Sequence, residues 1–354
     1  MDATRRGLIA GAALIGPAVA GAGGHRSIAR VPGVCVIAAR AGRIVRAECS
    51  GLADLEQSVP LTPGAPMRIA SLTKQFTAIA VLRLVHDGAL GLADTLGRRL
   101  PACPALWRPI TLRQLLGQVS GLTDDMRPLL ANIASDLTVD QLLALYQNLP
   151  LAAAPVQTWR YSNLNYWILG KVVEVASGER YADFVERRVL TPGMTATRYG
   201  SYAVIIPGRA RGYESDGAGG WVNARYFSDT LGYAAGGFVS SPLDMVQWYA
   251  ALSRGDLVAP GLLSAALTEG RTSDGKGTGY GLGWYISTLD GLTLAHHGGR
   301  TFGFQSYLCW VPSRSLVAAV FENVSDARGE PQARAREALR SLASSYAPSN
   351  PASA

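Results

Sequence analysis

Ser71 and Lys74 stand three residues apart at the head of an apolar run, RIASLTKQFTAIAVLRLVHDG, residues 68–88. On a helix that spacing places a hydroxyl and an amine on one face, one turn apart. A hydroxyl becomes an effective nucleophile when a neighbouring base takes its proton, and a desolvated amine can be that base. Between Leu72 and Val85 only Thr73, Lys74, Gln75, Thr77 and Arg83 are polar, so the helix reads as buried almost all round. Lysine is also scarce here: of 33 basic residues only Lys74, Lys171 and Lys276 are lysine, the rest arginine. Arginine stays charged at any accessible pH, whereas a buried lysine titrates. In isolation the pattern more often marks a helix cap with an outward-facing lysine. A second copy, Ser273-Asp274-Gly275-Lys276, lies in a Gly/Asp-rich turn with no helix to order it and is set aside as a decoy.

Two further motifs follow in order. In WRYSNLNYWILG, Tyr161 and Asn163 sit on a turn that opens a helix, and in LTLAHHGGRTFGFQSYL a strand presents His297, Gly298 and Gly299 before Arg300. A phenol beside a buried amine can carry a proton, an asparagine both donates and accepts, and paired glycines leave a strand edge clear for substrate. Singly, each would be a packed aromatic, a helix cap and a strand end. Together, Ser71-x-x-Lys74, Tyr161-x-Asn163 and His297-x-Gly299 resemble the penicillin-recognising serine hydrolases: class C β-lactamases, DD-peptidases and related esterases and D-aminopeptidases. The resemblance extends over roughly residues 30–330. It is carried also by LLGQVSGL (115–122), YSNLNYWILGKVVEVASGERYADFVERRVLTPGM (161–194), YAAGGFVSSPLDM (233–245), YGLGW (280–284) and HGGRTFGF (297–304).

The resemblance implies that Ser71 attacks a carbonyl and is acylated, while Lys74 and Tyr161 share the removal and return of its proton. It further implies that Asn163 holds the substrate's acyl-side amide and positions Lys74, and that the backbone N–H groups of Ser71 and Arg300 form an oxyanion hole. His297 stands where class C β-lactamases typically carry lysine, and Gly298 where many members carry threonine. Both changes remove groups that would hold a β-lactam carboxylate, so lactamase activity is demoted below ester, amide or D-peptide hydrolysis. Arg300 either binds a substrate carboxylate or points to solvent. The alternatives kept open are β-lactam turnover and a non-hydrolytic protein that binds penicillin or cell-wall fragments. No G-x-S-x-G, H-E-x-x-H or P-loop occurs, and neither metal nor other cofactor is expected. The partner is a small ester, peptide or β-lactam-like substrate, and oligomeric state is not legible.

The remaining sequence must position these groups. With 354 residues, 48% hydrophobic and 17% charged, the chain is globular. Its 33 cations against 26 anions are scattered rather than gathered with aromatics, which argues against nucleic-acid binding. Residues 1–24 read as an export signal: Arg5-Arg6 precede an apolar core from Leu8 to Ala20 in the manner of a twin-arginine leader, implying a periplasmic or secreted protein. No later stretch is long enough to span a membrane. Cys35 and Cys49 flank a turn symmetrically and are placed either to pair or to remain as two thiols. Strand-like runs surround that turn, a helical stretch extends from about 72 to 190, and four strand patterns precede a last helix over 331–345. Ser241-Pro242 reads as the cap and first residue of a further helix.

This order predicts an α+β fold of the β-lactamase/transpeptidase type, an α/β sandwich with an antiparallel sheet flanked by N- and C-terminal helices and an all-helical lobe. The single catalytic domain spans 25–345, with sheet lobe 28–80 and 195–345, helical lobe 81–194, a cleft between them, and a disordered tail at 346–354.

Overall fold

The computed structural model describes residues 30–201, 203–325 and 330–344. The expected export signal and the 346–354 tail lie outside the described residues. Six strands form the main sheet: β1 (Val34–Arg40), β2 (Arg43–Ser50), β3 (Tyr285–Leu289), β4 (Leu292–Thr301), β5 (Phe304–Val311) and β6 (Leu316–Glu322). Their order is β3-β4-β5-β6-β1-β2 and every pairing is antiparallel. The first hairpin therefore joins the C-terminal meander along β1–β6, from Val34 opposite Glu322 to Arg40 opposite Leu316.

β5 and β6 are buried at every position, so both faces of the sheet centre are covered. On one side Ala38, Cys309, Ala318 and Val320 pack against Ala335, Ala338, Leu339 and Leu342 of a C-terminal helix, Pro331–Ser344. On the other, Ile37, Leu308, Trp310 and Phe321 join the larger core, which includes the apolar helix α1 (Thr73–His86). Between β2 and β3 the chain builds the helical elements, including α2 (Asn163–Ser177), α3 (Tyr181–Arg188), α4 (Asp229–Gly236) and α5 (Pro242–Arg254); the Pro331–Ser344 helix is α6. α5 starts as its sequence indicates, with the Ser241 side chain accepting from Asp244 N and Pro242 at the first turn. No helix among the described residues is long and apolar enough to cross a membrane.

β2 forms one edge of the sheet, and six of its eight residues are exposed, so packing alone anchors it weakly. A disulfide compensates: Cys35 and Cys49 face each other across β1–β2 and are bonded, while Cys103 and Cys309 are free. The alternative of two unpaired thiols at 35 and 49 is thereby removed. With the bonded positions 14 apart in sequence, replacing both cysteines by alanine should cost about 3 kcal/mol of stability. Denaturant titration checks the value. A non-reducing peptide map should show Cys35 linked to Cys49, with the fully buried Cys309 alkylated only after unfolding.

Candidate active site

Ser71 lies in a 3-10 turn, Ala70–Leu72, that runs directly into α1. No side chain caps this junction, so Ser71 is not an ordinary helix cap. As part of the first turn, its backbone N–H has no acceptor within the helix. The preceding Ala70 has φ +46°, a left-handed conformation that a non-glycine residue holds only where its surroundings impose it. Those surroundings are specific. Ile69 N donates to Phe238 O at 3.2 Å, and Ser306 on β5 donates from its hydroxyl to Ile69 O at 3.1 Å. β4 then closes on the turn at Gly299, where a Cβ would stand 2.2 Å from Ile69 O. Gly299 thus makes room for the turn that carries Ser71, and it also lines a cavity beside Ser71. At Gly298 a Cβ would meet the Tyr307 ring at 3.2 Å.

Lys74 is fully buried, and no carboxylate among the described residues pairs with it. Its Nζ reaches three acceptors: Ser71 Oγ at 3.2 Å, Asn163 Oδ1 at 2.8 Å and Ala235 O at 2.8 Å. Burial without a counter-charge pushes its pKa well below the usual lysine value. The acceptor set then decides how the neutral amine is oriented. The two carbonyl oxygens can only accept, so they hold the two amine hydrogens, and the lone pair is left facing Ser71. Proton transfer from Ser71 to Lys74 reverses one hydrogen bond and leaves the other two in place.

Each of those two carbonyls is delivered by a device of the fold. Asn163 is the first residue of α2, so its backbone position follows the segment before it. That segment is tied to the 117–123 loop: Arg160 N donates to Gln118 O, Ser162 N to Gln118 Oε1, and Ser162 Oγ to Thr123 O, at 2.9, 2.9 and 2.7 Å. Ala235 lies in α4, which is broken by Tyr233 at φ 35°, ψ −132°. Past the kink, Ala234 O accepts from Thr77 at 2.6 Å and Ala235 O from Lys74, both on α1. The kinked turn fits because Gly170 of α2 faces it: a Cβ there would lie 2.5 Å from both Ala234 and the Tyr233 ring. Neither the strained turn nor Gly170 is signalled by the three motifs, although YAAGG does stand out as a segment with more glycine than a helix tolerates.

Tyr161 completes the group around the nucleophile. Its hydroxyl interacts with Ser71, and Lys74 Nζ stands 4.8 Å from its ring centroid. Desolvation raises the phenol pKa far above its usual value, so at neutral pH Tyr161 carries its proton.

His297 is 1% exposed, and both ring nitrogens are engaged. Nδ1 lies 2.6 Å from Gly298 O, which can only accept, so Nδ1 carries the hydrogen and Nε2 accepts from Tyr280 at 3.2 Å. Burial and the nearby Lys74 push its pKa down to about 3, leaving a neutral ring. His297 thus forms part of the dry wall beside Tyr161, ring centroids 6.0 Å apart, and offers no free nitrogen to a ligand. Its neighbour His296 is stacked between Tyr285 and Tyr307, with its pKa lowered by burial and Arg336 to about 4. Arg300 is exposed at the rim. The decoy Lys276 is exposed in its turn and pairs with Asp274.

Ser71 opens onto two cavities. One, of about 410 Å³, contains Asn163 and a largely apolar wall, and the other, of about 960 Å³, contains Tyr161, His297 and Gly298. The sequence and fold have known counterparts. The profile of the Beta-lactamase family matches residues 17–343. The chain belongs to that family. Penicillin-binding protein 4* of Bacillus subtilis is 30% identical over 284 residues, 75% of this chain and 62% of the relative. Protein flp of Staphylococcus aureus (strain COL) is 24% identical over 83% of this chain and 60% of its own length. The chain thus spans about three fifths of the length of these curated relatives. Among solved structures, the octameric penicillin-binding protein homologue from Pyrococcus abyssi superposes with a TM-score of 0.78 at 26% identity, covering 89% of this chain and 74% of that one. D-amino acid amidase from Ochrobactrum anthropi SV3 gives 0.76 at 26% identity over 88% and 95%. Within the beta-lactamase family, this chain resembles penicillin-binding proteins and an amidase.

The two histidines give this site a pH signature in stability. Both have native pKa values below the ordinary 6.5, so between pH 6.5 and about 3 the unfolded chain binds protons that the native chain refuses. Stability contributed by the neutral rings is full above pH 6.5 and is lost progressively as the pH falls. The Tm should therefore decline from pH 7 to pH 4, and His297→Gln should make that decline shallower; an unchanged slope in the variant would show that His297 is not held neutral.

Proposed function

We propose that this protein is an exported serine hydrolase that cleaves an ester, amide or D-amino-acid peptide through an acyl-enzyme on Ser71. The observation that carries this reading is the hydrogen-bond set of Lys74, in which two carbonyl acceptors leave the lone pair of a neutral amine facing the Ser71 hydroxyl. Lys74 takes the Ser71 proton as Oγ attacks the substrate carbonyl. The backbone N–H groups of Ser71 and Arg300 receive the developing oxyanion. Tyr161, protonated because its phenol is desolvated, gives its proton to the leaving group and regains one from Lys74. Water then attacks the acyl-enzyme, its proton returning through the same pair, and Ser71 is released.

The leaving group departs on the Tyr161 side, into the larger cavity, where Arg300, Arg336 and Arg340 face a single acid, Glu330. That excess of positive charge supports substrates whose leaving portion ends in a carboxylate, as a peptide does. Export is supported by the N-terminal leader pattern and by the Cys35–Cys49 bond, which persists in oxidising compartments.

A fluorophosphonate probe should add one label to the intact protein at Ser71 and none to Ser71→Ala, whose turnover should fall by several orders of magnitude with its Tm nearly unchanged. An unlabelled native protein would leave a non-hydrolytic binding role instead. The pH profile of kcat/KM should rise along a limb whose apparent pKa lies well below lysine's ordinary 10.5, because activity requires the neutral amine. Lys74→Arg keeps the charge but supplies no neutral base, so its activity should fall nearly as far as that of Lys74→Ala. Substantial activity in the arginine variant would reduce Lys74 to an electrostatic fixture.

A further inference from the structure

The two cavities at Ser71 differ in character, and the proton donor assigns a substrate half to each. Tyr161 lines the larger cavity and not the smaller, so the leaving group lies in the larger and the acyl group turns into the smaller. The smaller cavity is walled by Leu129, Leu130, Trp167, Phe227, Leu231 and Phe302. Three charged residues, Glu214, Arg225 and Arg300, also line it. Glu214 and Arg225 approach each other at 3.5 Å, the Arg225 guanidinium lies 4.7 Å over the Phe302 ring, and Arg300 also borders the other cavity. Met126 and Leu130 line the same space while 36% and 52% exposed, large apolar side chains held in water beside the nucleophile. An apolar ligand would cover that surface.

We infer that the acyl site selects an apolar acyl group several carbons long, aliphatic or aromatic, and discriminates against short acyl groups. This rests on the acyl-enzyme reading and adds the substrate class to it. Each methylene moved from water into such a cavity is worth about a fourfold gain in kcat/KM.

The test is a series of p-nitrophenyl esters, which hold the leaving group constant. From acetate through butyrate to hexanoate, kcat/KM should rise about fourfold per methylene. Leu130→Glu places a charge on an exposed position of the wall, where folding tolerates it, and should lower the hexanoate-to-acetate ratio at least tenfold. Fluorophosphonate labelling of Ser71 in that variant shows that the nucleophile is intact. A flat or falling series, or an unchanged ratio in Leu130→Glu, overturns the inference while the labelled serine leaves the hydrolase reading standing. A native protein that is neither labelled nor active on any ester overturns both.

Discussion

An amine buried without a counter-charge is the constraint around which this molecule is arranged. Taking an ammonium out of water is costly, and the site does not offset the cost with a carboxylate, which would hold the proton in place. Instead Lys74 is offered three neutral oxygens, and only one of them can give a proton back. The amine is therefore fixed in direction without being fixed in charge. A carboxylate in place of Asn163 would strengthen the contact and remove the function, because it would favour the charged lysine.

Holding three oxygens around one nitrogen requires strain and close approach elsewhere. Ala70 and Tyr233, both non-glycine residues at positive φ, lie on the two turns that carry Ser71 and the Ala235 carbonyl. Glycines stand where these turns meet their neighbours: Gly299 of β4 under Ile69, and Gly170 of α2 under Tyr233 and Ala234. Side chains at either place would push an oxygen away from the nitrogen it must meet. The sheet and the helices thus act as two jaws, with β4 setting the position of Ser71 and α2 and α4 setting that of the Lys74 amine.

The aromatic wall follows from the same need for dryness. Tyr280, His297 and Tyr161 form a neutral row beside Lys74, with the imidazole held in one tautomer by Gly298 O and Tyr280. A lysine at position 297 would bury a second amine beside the first, at a place where burial, and secondly the nearby Lys74, already lower the His297 pKa. Charge is kept to the rim, where Arg300, Arg336 and Arg340 face the larger cavity. The smaller cavity has a largely apolar wall, with Glu214, Arg225 and Arg300 also lining it.

The sequence alone determined the residues that gather around Ser71 and the order of the elements. Ser71, Lys74, Tyr161 and Asn163 were legible because helix periodicity and short spacings are local properties, and the sheet drawn from both chain ends was legible because its strand patterns bracket a helical stretch. The opening of α2 at Asn163 and the extent of α6 follow for the same reason, since turn residues and prolines act within a few positions of themselves. Tertiary structure alone decided the direction of the Lys74 lone pair, because Ala235 is 161 residues away and contributes a backbone oxygen that any residue type would supply. It also decided the role of Gly299, whose neighbour is a carbonyl on a distant turn, and the burial of His297, whose motif is shared by strands that face water or core alike. The choice between a disulfide and two thiols at Cys35 and Cys49 depended on strand register, and register is fixed by pairing partners rather than by the strand itself.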